Sequence, residues 1–79
     1  NQPGVCENIA SQIAGGDTSI RATMIESHLS EGAQKLSSDL SSLQYGVSVT
    51  DSCVGWDTTV EMIENLASAV KKRRATFLA

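Results

Sequence analysis

The sequence has few cysteines, no excess of basic residues and no long apolar run. Its 79 residues carry a net charge of −3, with six Lys and Arg against nine Asp and Glu. General nucleic-acid binding and anionic-membrane binding both need a basic surface, so this charge argues against both. A membrane-spanning helix needs about 20 consecutive apolar residues, and neither such a run nor a signal segment is present. We therefore expect a soluble, cytoplasmic protein with no nucleic-acid or membrane partner.

The low cysteine count excludes a secreted scaffold held together by several disulfides. Cys6 and Cys53 could in principle form one bridge, but no Cys-x-x-Cys pair or Cys/His pair at zinc spacing occurs. We predict two reduced thiols.

A chain of this length usually buries only a marginal core. It begins with Asn1 rather than Met, so we expect it to have been processed, trimmed or cut from a longer protein.

Apolar residues with helical spacing predict two helices. Val5, Ile9 and Ile13 recur every fourth residue, which indicates an amphipathic helix of about ten residues. The Gly15–Gly16 pair should end it, because glycine adopts the left-handed conformation common at helix ends.

The second predicted helix lies near the other end of the chain. Thr58 and Glu61 have the spacing of a capping box, and the apolar positions that follow mark one face as far as about Arg74. Residues 71–74 are Lys-Lys-Arg-Arg and are predicted to close the helix, where cations favour its dipole.

Two strand-like stretches between the helices each lead to a carboxylate. Residues 20–26 end in Glu26, and residues 47–50 are followed by Asp51. Strands that present an acid before a loop and a helix are typical of α/β barrels, where the strand C-termini carry the chemistry. Residues 27–44, polar and rich in Ser, predict a long loop, and such loops are often functional.

The predicted order is helix, strand, long loop, strand, helix. Parallel strands need paired neighbours and helices on both faces, and two open edges would remain exposed. We therefore predict an α/β chain that forms part of a barrel and is incomplete by itself.

Several motifs resemble a known enzyme family. They are residues 24–29 (Met-Ile-Glu-Ser-His-Leu), 31–32 (Glu-Gly), 45–46 (Tyr-Gly) and 51–56 (Asp-Ser-Cys-Val-Gly-Trp), with 9–16 and 69–74 in the helices. In this order and spacing they resemble the C-terminal end of type I 3-deoxy-7-phosphoheptulonate (DAHP) synthase. The resemblance spans nearly the whole chain but only the last part of such an enzyme.

The resemblance implies a fold and an activity. The family is a (β/α)₈ TIM barrel, of which residues 1–79 would be a single segment forming the last two β/α units. It is an aldol-type transferase that condenses phosphoenolpyruvate with erythrose 4-phosphate, the first step of the shikimate pathway to the aromatic amino acids. We also expect an oligomer.

The resemblance further implies a divalent metal, Mn²⁺ or similar, held by a cysteine, a histidine, a glutamate and an aspartate. Glu26 matches the glutamate ligand and Asp51 the aspartate ligand, and oxygen ligands suit such an ion. His28 and Cys53 lie in the adjoining motifs. They are candidates for contact with metal or substrate but not replacements for the cysteine and histidine ligands of the family. Without the motifs, the two acids would be interpreted as ordinary surface carboxylates.

The other two ligands and the phosphate-binding Arg and Lys residues of the family lie upstream of the matched region. The remaining N-terminal barrel segment, or another DAHP synthase-like chain, would have to supply them. We therefore predict that the 79-residue chain alone is inactive.

Departures from the family pattern keep alternatives open. Arg21, Ala22 and Thr23 stand where the family has an apolar residue, a glycine and a valine, and Ala33 replaces the asparagine of a Glu-Gly-Asn-Gln motif. One alternative is a catalytically inactive paralogue that acts as a partner or regulatory subunit. Another is a small helical interaction module.

Overall fold

The computed structural model describes residues 1–78. Its helices are α1 (Gln2–Ala14), a 3₁₀ turn η1 (Leu40–Ser42) and α2 (Trp56–Leu78). Residues 1–24 and 60–78 form one compact unit, here called the helical unit, and residues 25–59 form a second, the loop unit. None of the helices in the described part of the chain has both the length and the apolarity of a membrane span.

Helix α1 confirms the first helix prediction. The side chain of Asn1 caps its start by accepting a hydrogen bond from the Gly4 N–H at 3.0 Å. Gly15 follows its last residue, and Gly16 has a φ of +106°. A positive φ is strained for residues with a Cβ atom, so the predicted glycine termination is confirmed and its left-handed residue is Gly16.

Helix α2 is confirmed, but both of its predicted ends are wrong. It begins at Trp56 rather than near Thr58, because the Gly55 carbonyl already accepts from the N–H and hydroxyl of Thr59, at 3.0 and 2.7 Å. It continues to Leu78, so its last turn holds no basic residue. Residues 71–74 therefore lie inside the helix and do not cap it.

The core of the helical unit lies between α1 and α2. Ala10, Ile13 and Ala69 are buried there. The Cys6 thiol is also buried, 3.7 Å from the Met62 carbonyl oxygen, and burial raises its pKa. Both cysteines are free, as the sequence predicted.

The two predicted strands do not form, which corrects that prediction. Among residues 1–78 the structure contains only isolated bridges, and none involves residues 20–26. Residues 47–50 contribute a single parallel bridge, from Ser48 to Ala33. A parallel strand is stable only between paired neighbours, which the described residues do not supply. The α/β barrel architecture thus stays a prediction.

Candidate metal centre

Backbone pairing in the loop unit brings the Glu26 segment beside the Asp51 segment. The Val54 N–H donates to the Glu26 carbonyl at 2.9 Å, and the His28 N–H donates to the Val54 carbonyl at 3.0 Å. These bonds form the parallel bridge between Ser27 and Val54. The segments that follow the two predicted strands are therefore held next to each other.

The Glu26 and Asp51 carboxyl groups lie in hydrogen-bonding contact, and both residues are exposed to solvent. The pKa of Glu26 lies above its usual value, chiefly because its protonated form shares a hydrogen bond with Asp51. The negative charge of Asp51 and partial desolvation raise this pKa further. A proton or a cation bound between two neighbouring carboxylates would reduce the repulsion between their charges.

The pair fits part of a metal site. Carboxylate oxygens are hard ligands that suit Mn²⁺ or Mg²⁺, and a divalent cation would relieve the repulsion between the two charges. The described residues contain no group of three or more His, Cys, Asp or Glu side chains able to hold a metal ion. Glu26 and Asp51 could therefore supply only some of the ligands of such an ion.

His28 and Cys53, the other two predicted site residues, do not join the carboxylate pair in a larger ligand group. His28 is exposed, and its Nδ1 accepts a 2.9 Å hydrogen bond from the Leu29 N–H. Cys53 is half-buried, with its Sγ 3.5 Å from the Asp51 carbonyl oxygen. Its backbone exchanges two hydrogen bonds with Gly32, at 2.8 and 3.1 Å.

One residue of this region was missed by sequence reasoning. Gln34 is half-buried and forms hydrogen bonds to the backbone of Gln44 and Val47 with its side-chain amide. A lone glutamine in a polar, Ser-rich loop has no periodic signal. The one available signal is its position: Gln34 follows Ala33 and matches the last residue of the family's Glu-Gly-Asn-Gln motif.

Comparison with known proteins finds relatives along most of the chain. Residues 1–64 match the model of the DAHP synthetase I family. A Schizosaccharomyces pombe protein provisionally named a phospho-2-dehydro-3-deoxyheptonate aldolase is 55% identical over 76 residues, which are 95% of this chain and 21% of that protein. The Phe-sensitive phospho-2-dehydro-3-deoxyheptonate aldolase of Escherichia coli is 49% identical over 73 residues, 92% of this chain and 21% of that enzyme.

A solved structure agrees with these sequence matches. The phospho-2-dehydro-3-deoxyheptonate aldolase of Francisella tularensis superimposes with a TM-score of 0.83 and 43% identity, over 91% of this chain and 20% of that one. The chain thus spans about one fifth of the length of these relatives. With the family model matched over residues 1–64, the chain belongs to the DAHP synthetase I family.

Proposed function

We propose that this chain is the C-terminal portion of a DAHP synthase barrel and supplies two carboxylate ligands to its divalent metal. The enzyme would condense phosphoenolpyruvate with erythrose 4-phosphate. The observation that carries the proposal is the backbone pairing that brings the Glu26 segment beside the Asp51 segment. It places the two carboxyl groups close enough to raise the pKa of Glu26. Family membership and the names of the relatives support the reaction class.

In this role Glu26 and Asp51 act as oxygen ligands in their ionised forms. Asp51 raises the pKa of Glu26 in the metal-free pair, and a bound cation would favour the ionised form of both carboxyl groups. The metal, when bound, would polarise the aldehyde of the sugar phosphate as a Lewis acid. The backbone bonds of Val54 to residues 26 and 28 hold the two ligands in register.

The proposal requires a partner. Two carboxylates are fewer than the four ligands that the family resemblance implies, so the remaining barrel segment or another DAHP synthase-like chain would complete the metal site and bind both substrates. An oligomeric assembly is part of the proposal. The intact masses of the proteins that co-purify with this chain would identify the partner.

The metal ligands are tested by titrating Mn²⁺ into the complete barrel. Glu26→Ala and Asp51→Ala should each weaken Mn²⁺ binding by more than about tenfold, because even residues that only support a ligand are worth about 10–100-fold in affinity. Glu64→Ala is the matched control, since it removes an exposed carboxylate from α2. Wild-type affinity in both ligand variants would overturn the assignment.

Activity is tested as phosphate release from phosphoenolpyruvate that depends on erythrose 4-phosphate and a divalent metal. We expect turnover in the complete, metal-loaded barrel and none in the isolated chain. A metal-loaded barrel without turnover would support the alternative of an inactive paralogue that acts as a partner or regulatory subunit. Ala22→Gly and Ala33→Asn, which restore the family pattern, are the first variants to examine in that case.

A further inference from the structure

Gln34 forms hydrogen bonds to residues 44–48, a separate segment of the loop unit. Its Nε2 donates to the Gln44 carbonyl at 2.9 Å and to the Val47 carbonyl at 3.0 Å, and its Oε1 accepts from the Gln44 N–H at 2.9 Å. Its own backbone N–H donates to the Ser48 carbonyl at 2.7 Å. One residue thus makes four hydrogen bonds to the backbone of residues 44–48.

The chemistry of these bonds requires a side-chain amide. The carbonyl oxygens of Gln44 and Val47 need two donors, and the N–H of Gln44 needs an acceptor. The end of one side chain has to supply all three groups. Glutamine carries two N–H donors and a carbonyl acceptor in one plane, whereas glutamate has the same shape and, when ionised, only acceptors. A glutamate at this position would place its charge against two carbonyl oxygens.

The segment that Gln34 holds leads directly to Asp51. Ser48, whose carbonyl accepts from Gln34, is buried, and its hydroxyl accepts from the Thr50 N–H at 3.1 Å. The same hydroxyl lies 3.3 Å from the Thr50 hydroxyl. The backbone is therefore held at Ser48 and turned at Thr50, immediately before the carboxylate that contacts Glu26.

We infer that Gln34 is a positioning residue for Asp51: it holds the backbone of residues 44–48 so that the Asp51 carboxylate meets Glu26. The inference rests on the proposed function, in which these two carboxylates bind a divalent metal. It predicts that Gln34 influences metal affinity although it does not touch the metal.

The test compares four variants in the complete barrel. Gln34→Glu keeps the shape and removes both donors, and Gln34→Leu removes all side-chain bonds without adding charge. Gln44→Glu is the matched control, because it makes the same chemical change within residues 44–48. The Gln44 side chain is exposed, and only the backbone of Gln44 bonds to Gln34, so this variant should keep those hydrogen bonds. Asp51→Ala is the reference for loss of a ligand.

Mn²⁺ affinity is read from the electron paramagnetic resonance signal of the free ion, at a temperature where thermal melts show each variant to be folded. We expect Gln34→Glu and Gln34→Leu to weaken binding about tenfold, within the range for residues that support metal ligands. Gln44→Glu should bind as the wild type does. If Gln34→Glu does not fold, Gln34→Leu supplies the measurement.

The outcomes separate this inference from the proposed function. Weaker binding in the Gln34 variants with wild-type binding in Gln44→Glu supports the inference. Wild-type affinity in a folded Gln34 variant, with reduced affinity in Asp51→Ala, overturns it and leaves the proposed function intact. If the Gln34 variants melt at a lower temperature but bind Mn²⁺ with wild-type affinity, Gln34 has a purely structural role. That result likewise overturns the inference. Wild-type affinity in Asp51→Ala, together with wild-type affinity in Glu26→Ala, overturns the ligand assignment of the proposed function itself.

Discussion

The Arg73 guanidinium donates a 3.1 Å hydrogen bond to the backbone carbonyl oxygen of Asp17, 56 residues earlier in the chain. The same nitrogen lies 3.4 Å from the Ile20 carbonyl oxygen. The Asp17 side chain accepts from the Ser19 N–H and hydroxyl, both at 2.7 Å. These hydrogen bonds lower the pKa of Asp17, with a small contribution from the charge of Arg73. Arg73 thus connects α2, through hydrogen bonds, to the turn that follows α1 in the same unit.

In the assembly proposed above, Arg73→Met should lower the free energy of unfolding by about 1.5–3 kcal/mol, the usual range for hydrogen bonds that involve a charged group. It removes the charge and leaves two carbonyl oxygens without this donor. Arg74→Met is the control, since Arg74 is exposed where Arg73 is half-buried. Midpoints of urea denaturation measure the difference, and equal midpoints for the two variants would contradict the prediction.

The isolated 79-residue chain should unfold without a cooperative transition. Its buried hydrophobic residues in the described part of the chain are Cys6, Ala10, Ile13, Met62 and Ala69. Met24 and Tyr45, by contrast, are 89% and 92% exposed. We expect such a small core to be insufficient to offset the conformational entropy that folding costs. Calorimetry of the monomeric chain is the measurement, and a sharp heat-absorption peak would refute the expectation.

The interaction between Glu26 and Asp51 predicts that the stability of the proposed assembly depends on pH when no metal is bound. Because the pKa of Glu26 is raised in the folded state, the folded protein holds this proton more tightly than the unfolded chain does. The contribution to stability is therefore fully present below the unfolded-state pKa of Glu26. It is lost as the pH rises through the higher folded-state value.

Asp51→Asn should lower the pKa of Glu26, because it removes the charge and replaces a carboxyl partner with an amide that can donate. Asp57→Asn makes the same change at an exposed residue in the first turn of α2 and serves as the control. Carbon-13 NMR titration of the Glu26 carboxyl, assigned by its loss in Glu26→Gln, follows the shift. An unchanged titration in Asp51→Asn would mean that the two groups do not interact.

Gly46 and Gly32 provide a matched pair of glycines. Both have positive φ, +83° and +93°, so an alanine at either should cost about 1–2 kcal/mol in backbone strain. At Gly46 the added Cβ would also lie 3.1 Å from the Leu29 Cβ, whereas nothing lies within 4 Å at Gly32. Gly46→Ala should therefore destabilise the proposed assembly more than Gly32→Ala. Thermal melts compare them, and a smaller loss for Gly46→Ala would contradict the close contact.

The sequence alone determined the features that depend on residues close together in the chain. Helix α1, its glycine end and the existence of α2 follow from apolar spacing and backbone preference, which act over a few residues. The family follows from motifs around Glu26 and Asp51, and the comparisons confirm it. The free state of Cys6 and Cys53 follows from their low number and spacing, and the structure agrees.

The tertiary structure decided what depends on partners distant in the chain. The described residues form isolated bridges rather than the predicted strands. Strand formation depends on neighbouring strands, which a sequence pattern does not reveal. It also brought Glu26 into hydrogen-bonding contact with Asp51 and gave Gln34 and Arg73 their backbone partners. Such bonds join residues with no periodic relation in sequence, so only the folded chain shows which of its many polar side chains form them.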